Sequence, residues 1–374
     1  MNFLIGSDVV PTNVNIKHFY KGNVEEIIGR DLLKVWNSVD HRIFNLETPL
    51  TDENSPINKQ GSNIRVNSEA VKGIKNLKPS LVTIANNHIL DQGSQGLNST
   101  MSLLNNNGIP FIGAGLNLKQ AAKPFIIKNK NYSVGIYTCA EHEFSIATDS
   151  EAGANPFDPL ESLDHIYDLK NKCDYVIVLY HGGIEEYRYP SPNLQKICRK
   201  IVSKGADLVI CQHSHCIGSY EDYTNSKIIY GQGNFLFNKK DNEFWNTGML
   251  IKINVAENFK INFVPIVRTK KGVHLANNSQ YHVIMDNFNN RSEKIKDADF
   301  VKNKYEEYAE KKFHSYIRNI AGFRKWRSRL DRHVLDNSLA DKKYTKYELL
   351  KIQNYIECEA HRELFLTGIK KNIR

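Results

Sequence analysis

Leu81-Val82-Thr83-Ile84-Ala85-Asn86-Asn87-His88-Ile89-Leu90-Asp91-Gln92-Gly93 decides how this chain is read. Its first four residues form an apolar, β-branched run of the kind expected of a buried strand. The chain then presents an amide, an imidazole and a carboxylate at the strand's C-terminal end. In open α/β sheets that edge is where ligands bind. Asn and Asp also suit turns, and a single histidine is more often structural than catalytic. Taken alone, the segment is evenly balanced between the two.

Working outward, similar junctions recur through the first 240 residues. Residues 3–5 read as a first strand ending on Gly6-Ser7-Asp8, and Arg42-Ile43-Phe44-Asn45-Leu46 runs into Glu47-Thr48-Pro49. Tyr175-Val176-Ile177-Val178-Leu179-Tyr180 ends on His181-Gly182-Gly183, and Leu208-Val209-Ile210-Cys211 ends on Gln212-His213-Ser214-His215. Helical spacing predicts one helix over residues 23–37 and others over 68–77, 96–107, 159–171 and 192–203. Residues 51–63 read as a polar surface loop and 141–156 as irregular. Residues 248–255 and 260–267 alternate like paired strands. The fold class is therefore α/β.

Collected, the strand-end residues Asp8, Glu47, Asn87, His88, His181, His213 and His215 supply two carboxylates, one amide and four imidazoles. That donor set suits borderline metals such as Mn, Fe or Zn better than Ca or Mg. A carboxylate can bridge two ions about 3.5–4 Å apart, activating water and clamping both ends of a phosphoryl displacement. If extended, His213 and His215 point to the same side of the chain and could serve neighbouring ions. Each element alone is weak, but five such junctions in one α/β pattern point to a metal or catalytic site.

The chain has 374 residues, 41% hydrophobic and 24% charged, in the range of a soluble globular protein with one large domain plus an appendage, or with two domains. No apolar run reaches the eighteen or so residues of a membrane span. The first residues read as a strand rather than a signal peptide, so a cytoplasmic protein is expected. Six cysteines without a CxxC pair favour reduced thiols over a disulfide framework. Residues 291–374 hold 21 Lys and Arg against 13 Asp and Glu, so most of the net charge of +9 lies there. This tail is helical in pattern, with Ala309, Phe313, Tyr316, Ile317, Ile320, Phe323 and Leu330 on one stripe. The expected division is a catalytic domain over 1–290 and a basic, aromatic-rich helical extension over 291–374.

These motifs resemble the bacterial capsule-synthesis proteins of the poly-γ-glutamate (CapA) type, within the calcineurin-like metallophosphoesterase superfamily. The resemblance rests on Gly6-Ser7-Asp8, Asn45-Leu46-Glu47-Thr48-Pro49-Leu50, the opening stretch from Ala85 to Gly93, and Gly113-Ala114-Gly115. It continues through His181-Gly182-Gly183-Ile184-Glu185-Glu186-Tyr187, Gly205-Ala206-Asp207, His213-Ser214-His215 and Gly231-Gln232-Gly233-Asn234-Phe235. It implies a sandwich of two mixed sheets flanked by helices, with metals at the strand ends. Asp8, Glu47 and His215 would hold one divalent ion, and Glu47, Asn87, His181 and His213 the other. His88 would act as general acid with Asp91 orienting it, and Asn86, Glu186 and Asn234 would line the substrate pocket. The superfamily's DxH opening is Asp8-Val9-Val10 here, so the first site lacks the imidazole of that motif and one ion rather than two is an alternative. The bridging position is Glu47, where phosphoesterases generally use Asp.

The resemblance implies a phosphatase or phosphodiesterase in capsule or surface-polysaccharide biosynthesis. Its substrates would be phosphorylated sugars, polyol phosphates or lipid-linked glycans. The alternatives are a γ-glutamyl amide enzyme and a non-catalytic assembly or binding protein on the same fold. A polyanionic γ-glutamyl substrate would call for pocket Arg or Lys, and apart from Arg65 and Arg188 the stretches around the motifs supply few. The tail reads as a solvated helical hairpin with the aromatic stripe as its core. Its functional alternative is peripheral docking on an anionic inner-membrane surface; no nucleic-acid partner is expected.

Overall fold

The computed structural model describes residues 1–257 and 259–373. It shows an α/β sandwich of two mixed sheets flanked by helices. Its central strands, Asn2–Val10, Leu81–Thr83, Tyr175–His181 and Leu208–Gln212, are buried on both faces, which is why they read as near-continuous apolar runs. In the first sheet the order is Val273–Leu275, Phe259–Arg268, Thr247–Val255, Asn2–Val10, His41–Leu46, Leu81–Thr83, Phe111–Ile112. Asn234–Phe237 also pairs, in parallel, with the far end of Asn2–Val10. The second sheet runs Tyr220–Tyr223, Ser226–Ile229, Leu208–Gln212, Tyr175–His181, Ser133–Ala140, Phe125–Lys128.

Alternation along each strand builds the layers. Phe3, Ile5, Ile43 and Leu81 pack with Ile136, Ile177, Leu179, Leu208 and Ile210 in the core between the sheets. Leu4, Val9, Phe44 and Val82 point the other way, onto Phe19, Ile27, Leu32, Trp36 and Leu97. Val176, Val178, Tyr180 and Val209 likewise face Ile166, Cys198 and Ile201 outside the second sheet.

Asn2–Val10 is longer than residues 3–5, because the strand continues through Gly6 and Ser7 with a register shift between Ile5 and Asp8. The shift leaves backbone groups for buried side chains to satisfy. Gln212 Nε2 donates to Gly6 O (3.2 Å) and to Gln232 Oε1 (3.1 Å). Gln232 Nε2 donates in turn to Ile5 O and Met249 O, each at 3.0 Å. The two glutamines thus tie the sheets together beneath the strand ends.

The helix expected over 23–37 is split into Glu25–Ile28 and Arg30–Asn37, because Gly29 adopts φ 70° between them. The compact first unit extends to Val301, beyond the expected boundary at 290. The helix Asn278–Lys294 crosses that point, and Ile284, Phe288, Ile295 and Val301 are buried in the cores described above. The second unit, from Lys302, is helical. It contains Lys325–His333, Ser338–Lys343, Lys346–Glu357 and Glu359–Asn372. Cys358 separates Lys346–Glu357 from Glu359–Asn372. Within this unit Asp331 is buried, accepts from Leu339 N (2.9 Å) and lies 3.8 Å from Arg318. Ile317 is buried, whereas Phe313, Tyr316 and Ile320 are exposed, so only part of the stripe forms a core. Among the described residues no helix is long and apolar enough to cross a membrane.

Gln232→Leu keeps the volume but removes the donors to two buried carbonyls. It should cost about 1–3 kcal/mol for each acceptor left unpaired. Denaturant unfolding of the variant beside the parent checks this.

Candidate metal centre

Register brings the first group of polar residues into one row. Asp8 pairs with Asn45 on one side and with Asn234 on the other, so three parallel strands present these side chains together. Glu47 follows the strand His41–Leu46 immediately, and Asn87 lies in the turn after Leu81–Thr83. In the facing sheet His181 ends its strand and pairs with Gln212, whose successor is His213.

The side chains meet at close range. Asn45 Nδ2 donates to Asp8 Oδ1 (2.8 Å) and lies 3.3 Å from His181 Nδ1. His181 Nε2 is 3.1 Å from both Asn87 Oδ1 and His213 Nδ1, and 3.5 Å from Glu47 Oε1. The His213 backbone N–H donates to Asp8 Oδ2 at 3.3 Å. His215 Nδ1 lies 2.8 Å from Asn234 Oδ1 and 3.7 Å from Asp8 Oδ2. Glu47, His213 and His215 bring ligand-capable atoms within 4.8 Å of one another.

This cluster has too many acceptors for its protons. Neither oxygen of Glu47 has a hydrogen-bond partner, although the residue is fully buried. Burial pushes the Glu47 carboxyl up to about 8. Burial, and then the Glu47 charge, raise Asp8 to about 7. Burial also drives His181 and His213 down to about 4, and His215 well below its ordinary value. Without a cation, the site therefore favours neutral imidazoles and protonated carboxyls. A divalent cation would satisfy both Glu47 oxygens and the facing imidazole lone pairs, so the residues fit a metal. The mixed N and O donor set suits Mn, Fe or Zn. If His215 Nδ1 donates its proton to Asn234 Oδ1, Nε2 is left with the lone pair, the arrangement found in metal-ligating histidines. Val10, where an imidazole would complete the first site, is buried with Phe237 and Trp245, and the Trp245 ring lies 4.4 Å from His215.

His213 and His215 do not sit on an extended segment. Their φ values are 81° and 52°, so a strained turn rather than strand alternation delivers the two imidazoles. Left-handed backbone at non-glycine residues is uncommon and clusters at functional sites. Gly183, also at positive φ (110°), continues the loop after His181.

His88 stands beside this cluster, close enough to lower the Glu47 pKa. Its Nδ1 is 2.6 Å from Asp91 Oδ2, which also accepts from Ile64 N at 2.6 Å. Lys59 reaches the other oxygen of Asp91 and lies 3.4 Å from His88 Nδ1. Lys59 is buried, although its loop reads as surface; nothing in the polar run 51–63 marks it. Asn45 is likewise a functional neighbour hidden within an apolar run, although it belongs to a quoted motif. Asn86 lies beneath the site rather than lining it. Its Nδ2 donates to Asn45 Oδ1 (3.1 Å) and Leu46 O (2.8 Å), and its Oδ1 accepts from His88 N (3.1 Å). Glu186 is drawn into contacts with Lys240 (2.9 Å), Asn242 (3.2 Å) and Trp245 Nε1 (3.0 Å), placing it one side chain away from His215. Arg65 turns outward and donates to Asp52 O (2.7 Å).

Residues 5–239 match the family model described as bacterial capsule synthesis protein PGA_cap. The chain is 28% identical over 210 residues to the PGA biosynthesis protein CapA of Bacillus subtilis, covering 55% of each. It is 30% identical over 211 residues to the capsule biosynthesis protein CapA of Bacillus anthracis, covering 54% of this chain and 51% of that one. The match thus spans about half the length of these relatives. Among solved structures, a phosphatase of Mycoplasma pneumoniae superposes with TM-score 0.45 at 13% identity, covering 75% of this chain and 96% of that one.

The raised carboxyl pKa values give the metal-free site a pH signature. Unfolded Asp and Glu titrate near 4, so the stabilising contribution of these groups is complete below that pH. It is lost as pH rises through about 7 and 8. The lowered imidazoles act oppositely, losing stability as pH falls from about 6.5 towards about 4. From about pH 6.5 to 8 the carboxyls dominate, and Tm of chelator-treated protein should fall. Glu47→Gln should flatten that fall and raise Tm by several degrees at the alkaline end. Thermal unfolding across this range checks both, and parallel curves for parent and variant would contradict the assignment.

Proposed function

Since the chain belongs to the PGA_cap family of bacterial capsule synthesis proteins, we propose that it is a metal-dependent hydrolase of capsule or surface-polymer metabolism. A phosphatase or phosphodiesterase fits it best. The observation that carries this reading is Glu47, a buried carboxylate with no donor on either oxygen, facing buried imidazoles. Asp8, Glu47 and His215 would hold one ion, and Glu47, Asn87, His181 and His213 the other. With Val10 in place of an imidazole, the first is the weaker. Bound there, a divalent ion would supply Lewis-acid polarisation of a phosphoryl oxygen and an activated water.

The remaining work falls to the chain's own groups. Bonded to Asp91 through Nδ1, His88 has Nε2 left to give a proton to the leaving oxygen. Lys59 and the Ile64 N–H hold Asp91 in place for that task. Asn45 and Asn234 orient Asp8 and His215. Phosphorylated sugars, polyol phosphates and lipid-linked glycans are the substrates this chemistry suits. The similarity to the PGA biosynthesis protein of B. subtilis favours a second reading, attack on a γ-glutamyl amide by the same activated water.

His213→Ala should lose bound metal and turnover of chromogenic phosphate mono- and diesters together. His88→Ala should keep the metal and lose roughly 10²–10⁴-fold in kcat. Turnover that survives complete chelation would refute the hydrolase. Metal binding with no turnover on phosphate or γ-glutamyl substrates would leave a non-catalytic assembly protein.

For the helical unit from Lys302 we propose peripheral contact with an anionic membrane. Residues 302–374 hold 18 Lys and Arg against 10 Asp and Glu. Trp326 (66%) and Leu330 (38%), on Lys325–His333, and Val334 (69%) at its C-cap are exposed at helical spacing. Lys325, Arg329 and Arg332 occupy the neighbouring face, the pattern of interfacial helices. The full chain should float with phosphatidylglycerol vesicles at low salt and not with phosphatidylcholine. Trp326→Ala with Leu330→Ala should release it, and absence of flotation at low salt would overturn the contact.

A further inference from the structure

Two residues beyond His215 the chain enters a separate cavity of about 330 Å³, lined by Arg188, Ile217, Glu243, Thr247, Ile284 and Arg291 among others. Its two arginines come from distant parts of the sequence and are held by consecutive carbonyls. Arg188 Nη1 donates to Ile217 O (3.0 Å), and Arg291 Nε donates to Gly218 O (2.8 Å). Arg188 Nη2 also donates to Glu243 O (3.3 Å), and its guanidinium lies 4.8 Å from the Phe244 ring centre. Arg291 is fixed by its helix, where Phe288 is buried and Ser292 Oγ accepts from Tyr220 N at 2.9 Å.

We propose that this cavity binds an oxyanion, a phosphate or carboxylate group, between the guanidiniums of Arg188 and Arg291. Like charges brought into one cavity repel unless something negative lies between them. Among the described residues, neither guanidinium has a carboxylate within the 4.0 Å of an ion pair. Glu243 stands exposed, and only its backbone carbonyl engages Arg188. Burial, then the Arg188 charge, push Arg291 down to about 10, with Glu243 among the groups that offset part of the fall.

The donors are also available. Each guanidinium carries five N–H groups, and the three hydrogen bonds above use a minority of them. Both arginines line the cavity, and among the described residues no nitrogen of either is sealed from solvent without a partner. Paired guanidiniums suit the planar, bidentate recognition of carboxylate or phosphate. The site uses none of the metal-centre residues, so it stands or fails independently of the hydrolase reading. Arg188, one of the few basic residues beside the sequence motifs, lines this cavity.

The test is isothermal titration of inorganic phosphate, and separately of glutarate, into chelator-treated full-length protein at constant ionic strength. Chelation removes the metal centre as a competing site. Saturable binding of either anion is expected, weakened tenfold or more in Arg188→Leu and in Arg291→Leu. Arg291→Lys should keep part of the affinity, and it reports on the site if the leucine variant does not fold. Glu243→Gln should leave binding unchanged or tighten it. Phosphate without glutarate would assign a phosphorylated ligand, and glutarate without phosphate a carboxylate-bearing one. Failure of both anions to bind, or binding indifferent to the arginine substitutions, would overturn the proposal.

Discussion

A carboxylate buried without a donor is the constraint on which the candidate site depends. Removing such an ion from water costs several kcal/mol after relaxation, and Glu47 receives no hydrogen bond in return. Around it the fold places acceptors rather than cations: Asn87 Oδ1, the imidazoles of His181 and His213, and the second carboxylate, Asp8. Asp8 and the imidazoles of His181, His213 and His215 are all driven towards their neutral forms. A structural site would be expected to close this deficit with an arginine or lysine. Here the buried side chain of Lys59 is bound instead to Asp91. The deficit is one that a metal ion can fill.

Holding such a group in place requires rigid surroundings, and the sandwich supplies them through its polar layer. Gln212 and Gln232 satisfy carbonyls that the slip in the first strand would leave unpaired, and they do so across the sheet interface. The turn from His213 to His215 places two residues in left-handed backbone. That arrangement costs on the order of 1–3 kcal/mol per residue and persists because strand pairing on both sides over-determines it. The same pairing puts Asp8, Asn45 and Asn234 abreast.

Much of this was legible in the chain itself. Strands buried on both faces appear as apolar runs that break off abruptly, so Asp8, Glu47, His181 and His213 announce themselves by position alone. Residues whose importance lies in pairing do not. Asn45 is one polar residue inside an apolar run, and only register reveals that it spans Asp8 and His181. Lys59 belongs to a loop whose composition says solvent, and the inward turn of that loop depends on Asp91, far away in sequence. The split at Gly29 and the extension of the first unit to Val301 are tertiary outcomes that local periodicity does not contain. The aromatic stripe of the tail shows the converse. Its helical spacing is real, but Phe313, Tyr316 and Ile320 remain exposed because helical spacing alone does not supply a covering surface.

The contact between the His213 backbone and Asp8 closes a loop of 205 residues. Contacts of that span form late, since chain closure must be completed before they return any stabilisation. An ion held by both sheets therefore has no complete site in a partly folded chain. If such an ion binds, its affinity would act on the finished native state and slow unfolding, leaving the rate of folding nearly unchanged. Occupancy would then govern how long each molecule survives rather than how quickly it is made.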